Sequence, residues 1–180
     1  MATVYSAGHG NRSVEGLIAL LTSAGTRRLV DIRAMPRSRR YPHFGYGPLG
    51  AALEAAGIAY DWRGSALGGF RRGAGDERHH ALAEPAFRAF ASYMETERFR
   101  RAAVRLAEDA QAEPVCVLCA ERDPSRCHRA LLADWLLAHG HRVLHLIEPG
   151  ESRTHALHAD AVIVEGVIRY AGGGPQRSLF

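Results

Sequence analysis

Residues 114–136 read PVCVLCAERDPSRCHRALLADWL, and this stretch decides the fold class. Its apolar run at 114–119 predicts a buried strand, and the pattern over residues 124–139 predicts a helix that ends before Gly140. A short polar loop joins the two. A strand, a loop and a helix in this order form the repeating unit of parallel sheets, so the stretch predicts an α/β protein.

The same alternation of strands and helices extends to both sides of this stretch. Residues 63–84 interrupt it with a Gly- and Arg-rich segment that predicts a surface loop or lid. Near the C-terminus, AVIVEGVIRY splits at Glu165 and Gly166, which predicts a small hairpin. Further strands are predicted at residues 3–7, 28–32, 58–62 and 142–147, and further helices at residues 13–24, 48–56, 85–96 and 97–112.

These elements predict a single-domain, three-layer, Rossmann-like α/β fold with a mainly parallel sheet of about five strands. Residues 1–150 would form the domain, and residues 151–180 a C-terminal extension packed on it or trailing from it. The expected strand order is 3-2-1-4-5, with the switch point between strands one and four. Ligands of open α/β sheets bind at such a point, at the carboxyl ends of the strands.

Length and composition are those of an ordinary globular protein: 180 residues, 47% hydrophobic and 23% charged. No apolar run is long enough to cross a bilayer and no signal peptide is evident, so we expect a cytoplasmic protein without a membrane partner. All 23 basic residues are arginine, and the formal net charge is +4. Genome bias explains a uniform preference for arginine, so only local arginine clusters indicate anionic partners.

The loop after the fourth predicted strand carries Cys119, Cys127 and His128. A cysteine after a strand and an arginine at the next helix resemble the phosphatase and rhodanese arrangement, although six residues rather than five separate Cys119 from Arg126. These side chains, together with His9, are also of the types that bind zinc or iron. We expect no metal, because adjacent Cys127 and His128 should point in different directions. A third interpretation is simple packing, which we expect for Cys116.

Two other strand ends carry polar residues. DIRAMPRSRRYPHF at 31–44 combines an arginine cluster with aromatic side chains, a composition that suits phosphates or stacked bases, although a solvated basic loop has the same composition. GHGN at 8–11 lacks the full glycine fingerprint of dinucleotide-binding proteins, which argues against a nicotinamide enzyme. His9 in this segment is a candidate acid or base.

Taken together, GHGNRSVEGLIALL, LVDIRAMPRSRRYPHF, GIAYDWRGSALGG, YMETERFRRAAVRL and VLCAERDPSRCHRALLADWL resemble the family called domain of unknown function 488. The resemblance runs from about Val4 to Ile147 and implies a single Rossmann-like domain, without an established activity. Gly10 stands where the family usually has serine. The resemblance marks as characteristic positions His9, Asn11, Arg12, Asp31, Arg33, Pro36, Ser38, Arg39, Gly68, Gly69, Cys119, Glu121, Asp123, Cys127, His128 and Arg129.

We therefore expect a hydrolase or group transferase whose substrate is a phosphate-bearing small molecule, a nucleotide or a nucleic acid. A noncatalytic nucleic-acid-binding module and a metal- or thiol-dependent redox protein centred on Cys119 and Cys127 remain alternatives. No cofactor is expected. An anion should bind where the arginine loop at 31–40 meets the start of the helix that begins around Cys127, His128 and Arg129. The catalytic candidates are His9, Cys119, Glu121 and His128, and the substrate-binding candidates are Asn11, Arg12, Asp31, Arg33, Arg37, Arg39, Cys127 and Arg129.

Overall fold

A computed structural model describes residues 1–37, 39–73 and 76–172, and confirms a Rossmann-like α/β fold. Helices cover both faces of a mostly parallel six-stranded sheet. The strands are β1 Thr3–Gly8, β2 Arg28–Asp31, β3 Ala59–Trp62, β4 Val115–Cys119, β5 Arg142–Glu148 and β6 Glu151–Thr154. The helices are α1 Val14–Ser23, α2 Tyr46–Ala55, α3 Gly64–Leu67, α4 Pro85–Met94, α5 Glu97–Ala112 and α6 Arg129–Ala138.

The strand order is β3-β2-β4-β1-β5-β6, so the expected order 3-2-1-4-5 is wrong. Strand β4 lies between β2 and β1 and is buried at every position, because helices cover it on both sides. The expected adjacency of strands one and four is confirmed by their parallel pairing. Strand β6 was not predicted, because ESRT at 151–154 is polar and exposed throughout and forms an antiparallel edge.

Two hydrophobic clusters cover the two faces of the sheet. Helices α1 and α2 pack on one face, against Cys116 and Leu118 of β4. Helices α4, α5 and α6 pack on the other face, against Val115, Val117 and Cys119 of the same strand. The alternation along β4 therefore separates Cys116, which is surrounded by leucines, from Cys119, which lies on the side of α6.

The predicted helix at 124–139 is interrupted. A 3-10 turn spans Pro124–Arg126, Cys127 is extended with φ −138° and ψ 141°, and α6 begins only at Arg129. The segment 63–84 is likewise more structured than a surface loop, because it contains α3, a second 3-10 turn at Glu77–His79 and buried Leu82. Both errors arise because contacts from distant parts of the chain hold short polar segments in place.

The predicted C-terminal hairpin is confirmed, with β7 at Ala161–Val164 and β8 at Val167–Tyr170. Its turn has positive φ at Glu165 and Gly166, as a tight two-residue hairpin turn requires. Tyr170 is fully buried, and its hydroxyl donates a 2.8 Å hydrogen bond to Asp134 of α6. The rest of the predicted extension, residues 173–180, lies outside the described residues. No helix in the described part of the chain is long and apolar enough to span a membrane.

Candidate functional site

The largest concentration of predicted site residues lies around a cavity of about 900 Å³ at the carboxyl ends of β1, β2 and β4. Parallel strands end at one edge of the sheet, so the loops that follow them meet there. The cavity is lined by His9, Gly10, Asn11, Arg33, Ala34, Met35, Arg37, Tyr41, Gly69, Phe70, Ala86, Phe87, Cys119, Ala120, Glu121, Arg122, Arg126, Cys127 and His128.

Arg33 is held in this cavity by the buried carboxylate of Asp31. Its Nε and Nη2 atoms donate to the two carboxylate oxygens over 2.9 Å and 2.5 Å. The hydroxyl of Tyr60 donates to Asp31 Oδ2 over 2.7 Å. Burial alone would lower the pKa of Arg33, but the hydrogen bonds and charge of Asp31 raise it. Arg33 is therefore a fixed cation, and Nη1 is its guanidinium nitrogen that does not bond to Asp31.

His9 lies beside Arg33 and is nearly fully buried. Its ring stacks on Phe44 at a centroid distance of 4.2 Å, and Nδ1 lies 2.9 Å from the carbonyl oxygen of Gly10. Nδ1 therefore donates its hydrogen, and Nε2 keeps its lone pair, 3.4 Å from Arg33 Nη1. Burial and the charge of Arg33 lower the pKa of His9 to about 4, so the ring is neutral at neutral pH.

Cys119, Cys127 and His128 form a compact buried cluster at the cavity wall. Both sulfurs lie 3.8 Å from His128 Nδ1, and the three potential ligand atoms lie within 4.8 Å of one another. The expectation that Cys127 and His128 would point apart is wrong, because the extended backbone at Cys127 turns its sulfur toward the ring. The hydrogen bond between the thiols raises the pKa of Cys119 and lowers that of Cys127.

A family model, described as Domain of unknown function DUF488, matches residues 13–136, more than half of the 180 residues. The chain belongs to this family. No curated protein and no solved structure matches it. The family match begins after His9 and ends before Ile147, so it is shorter at both ends than the resemblance seen in the sequence.

Most predicted site residues of this DUF488 chain meet at the cavity, and strands β1, β2 and β4 bring His9, Arg33 and Cys119 together as predicted. Arg39 is exposed and is not part of the lining, while Ser38 lies outside the described residues. The predicted residues that line the cavity are His9, Asn11, Arg33, Arg37, Cys119, Glu121, Cys127 and His128.

Three predicted substrate-binding residues of the DUF488 chain support the cavity without lining it. Asp31 orients Arg33, as described above. Arg129 is buried, and its Nη1 and Nη2 atoms donate to the carbonyl oxygens of Glu121 and Arg122. Arg12 donates to Glu148 over 3.0 Å and to the carbonyl of Ile147. Arg129, which suggested an anion site at the start of α6, thus holds the loop after β4 in place.

Sequence reasoning missed two groups that build the site. Tyr60 looked like an ordinary strand residue, because nothing near it in sequence reveals its hydrogen bond to Asp31. The close backbone contacts of two glycines were also missed. A Cβ on Gly8 would lie 1.9 Å from the carbonyl oxygen of Glu121, and one on Gly69 would lie 2.4 Å from His128 Cγ. The LGG sequence at 67–69 was the available signal for the second contact.

Proposed function

We propose that this protein binds a phosphate-bearing small molecule, a nucleotide in the first instance, in the cavity at the carboxyl edge of the sheet. We also propose that the protein hydrolyses the bound molecule or transfers a group from it. One observation carries the proposal: Arg37 and Arg126 line the cavity, and no hydrogen bond or ion pair involves either guanidinium among the described residues.

The charge of the cavity lining favours an anion. Arg33 and Arg122 are each paired with a carboxylate, Asp31 and Glu148. Within the described part of the chain Arg37 and Arg126 have no such partner, and Glu121 is the only carboxylate among the lining residues. Guanidinium groups keep their charge at neutral pH and match phosphate oxygens in pairs of hydrogen bonds. A bound phosphate would therefore relieve the repulsion between these cations.

The size of the cavity supports a ligand larger than phosphate itself. About 900 Å³ lies near the upper end of ordinary ligand pockets, which hold drug- or nucleotide-sized molecules. Apolar side chains at the rim include Phe70, which is 72% exposed, and Met35, which is 69% exposed. A flat aromatic base could pack on such side chains while its phosphates meet the arginines.

Two groups can transfer protons at this position. The Nε2 lone pair of His9 faces the cavity beside Arg33, and a neutral imidazole can accept a proton from an attacking hydroxyl or water. The carboxylate of Glu121 also lines the cavity and accepts a hydrogen bond from the backbone N–H of Asp123. The reaction we assign therefore needs His9 to accept a proton and the arginines to bind the developing negative charge.

The proposal is tested by calorimetric titration of nucleoside mono-, di- and triphosphates at low and moderate salt. Arg126→Ala and Arg37→Ala should each weaken binding about tenfold or more, because a charged hydrogen bond contributes about 1.5–3 kcal/mol. Arg33→Ala is less informative, because it leaves the buried Asp31 without its cation. The matched control is Arg27→Ala, an exposed arginine before the amino end of β2.

The result that would contradict binding is the absence of affinity for any phosphate-bearing ligand, or equal behaviour of Arg126→Ala and Arg27→Ala. Product formation is followed on whichever ligand binds, and His9→Asn should abolish it with little change in affinity. Binding without turnover would reduce the proposal to a binding protein.

A noncatalytic nucleic-acid-binding role is the second candidate, because Arg37, Arg39 and Arg40 are all exposed on one loop, and the Arg40 guanidinium lies 5.4 Å from the centre of the Tyr41 ring. Such a surface would bind a single strand with affinity that falls steeply with salt. Single-stranded oligonucleotides in the same titrations distinguish this role from binding of a single nucleotide. A cytoplasmic location remains a prediction from the sequence.

A further inference from the structure

Three side chains from the end of β4 and the start of α6 lie together at one point of the cavity wall. Cys119 ends strand β4, Cys127 lies in the extended break before α6, and His128 caps that helix. Each is at least nine-tenths buried, and all three line the cavity. The distances from both sulfurs to His128 Nδ1 are the same, 3.8 Å.

These separations are those that a tetrahedral metal ion needs. Zinc binds thiolate sulfur at about 2.3 Å and imidazole nitrogen at about 2.0 Å, so ligands at tetrahedral angles lie about 3.5–3.8 Å apart. The observed distances of 3.8 Å, with all three ligand atoms within 4.8 Å, therefore require little movement to accept zinc. Two thiolates and a neutral imidazole would also balance its charge.

The surrounding backbone holds His128 in this orientation. The Cα of Gly69 lies so close to the ring that a Cβ there would come within 2.5 Å of Nδ1. On another side the ring packs edge to face against Phe90, with a centroid distance of 5.0 Å. Packing on two sides therefore restricts the ring to the position in which Nδ1 faces both sulfurs.

The third cysteine of the chain shows the environment that packing alone produces. Cys116 lies three residues before Cys119 on the same strand but belongs to the opposite hydrophobic cluster, among leucines of α1 and α2. Among the described residues, the sulfurs of Cys119 and Cys127 are the only hydrogen-bond partners of His128 Nδ1. A disulfide between the two cysteines would make no use of the position of His128 Nδ1 between the two sulfurs.

We propose that Cys119, Cys127 and His128 bind one zinc ion whose fourth position opens into the cavity. Three protein ligands and one open position are the arrangement of catalytic rather than structural zinc. Such an ion would coordinate an oxygen atom of a ligand or a water molecule. The action of this zinc ion on a phosphate-bearing substrate rests on the function proposed above, whereas the existence of the metal site does not.

Cobalt(II) titration of the metal-free, fully reduced full chain tests this site. Wild-type protein should bind one cobalt per chain, with a thiolate-to-cobalt charge-transfer band and the visible bands of tetrahedral coordination, and zinc should displace it. Cys127→Ala and His128→Ala should each lower zinc affinity by more than about a hundredfold, as measured against a chromogenic chelator. The matched control, Cys116→Ala, should retain wild-type affinity.

Circular dichroism shows whether each variant is folded. If a variant does not fold, the cobalt titration of the wild-type protein alone tests the metal site. The proposal is overturned if reduced wild-type protein takes up no stoichiometric metal, or if Cys127→Ala binds as wild type does. Formation of a Cys119–Cys127 disulfide by a chain that binds no metal would replace it with a redox pair. Zinc binding by a protein that binds no phosphate-bearing ligand would support the metal site and overturn only the proposed function.

Discussion

Two buried polar networks in this protein both contain aspartate and histidine yet differ in the groups that surround them. The first joins Asp31, Arg33 and His9 at the cavity. The second joins Asp134 and His155 over 2.8 Å, and His155 and His145 over 3.0 Å. Both contain an aspartate with almost no exposed surface. Burial and residue type therefore do not distinguish a functional site from a structural network.

The groups around them distinguish the two networks. Asp134 accepts hydrogen bonds from His155, from the backbone N–H of His158 and from the hydroxyl of Tyr170. All of these tie the chain after β6 and the C-terminal hairpin to α6. In the first network, by contrast, Arg33 lines a cavity that also contains Arg37 and Arg126, whose guanidinium groups have no partner among the described residues. Both networks border cavities, of about 900 Å³ and about 410 Å³, but in the second network Asp134 and His155 are bonded to groups of the chain itself.

The largest expected effect is a pH dependence that both networks share. Burial is the main cause that lowers the pKa of His9 to about 4 and of His145 to about 3, while the unfolded chain takes up these protons near pH 6.5. The stabilisation is fully present above pH 6.5 and is lost as the pH falls. At about 1.4 kcal/mol per pKa unit, discounted for solvent screening, we expect a loss of about 4 kcal/mol by pH 4.

Denaturant unfolding measured at intervals from pH 7 to pH 4 checks this. The variants His9→Asn and His145→Asn show how much of the pH dependence of the free energy of unfolding comes from each network. Exposed His80 provides the control, because His80→Asn should leave the slope unchanged. A flat profile between pH 6.5 and pH 5 would show that neither histidine is buried in its neutral form.

A smaller effect is expected for Asp134→Ala, which should lower the free energy of unfolding by about 3 kcal/mol. The change leaves buried donors on Tyr170 and His155 without an acceptor, and each such group costs about 1–3 kcal/mol. Chemical denaturation followed by circular dichroism measures it. The control is Asp160→Ala, a partly exposed aspartate between β6 and β7, which should change stability by less than about 0.5 kcal/mol. Similar values for the two variants would mean that the second network does not hold the hairpin.

The smallest effect is expected for Gly69→Ala, at about 2 kcal/mol. The added methyl group must displace the His128 ring or the backbone, and overpacking of this kind costs about 1–3 kcal/mol. Gly47→Ala is the matched control, because its Cβ meets nothing within 4 Å and alanine favours helix α2. Thermal unfolding of both variants gives the comparison. Equal stability of the two would show that the segment around Gly69 does not hold His128 rigidly.

The sequence by itself determined the elements and the general position of the site. Apolar runs and glycine stops identified the parallel strands and most helices, and Glu165 with Gly166 identified the hairpin turn. Because carboxyl ends of parallel strands share one edge, the polar residues that follow β1, β2 and β4 could be assigned to one region. These conclusions depend on residues within a few positions of one another, which is the range over which hydrophobic periodicity acts.

Only the tertiary structure decided the strand order and the choice of partners. It placed β4 between β2 and β1, turned Cys127 out of the predicted helix, and used Arg129 to hold backbone carbonyls while Arg126 kept no partner among the described residues. The sequence does not distinguish these two arginines, since they lie three positions apart in the same motif. Their roles differ because hydrogen bonds depend on distances of a few ångströms between atoms far apart in the chain, and packing sets those distances.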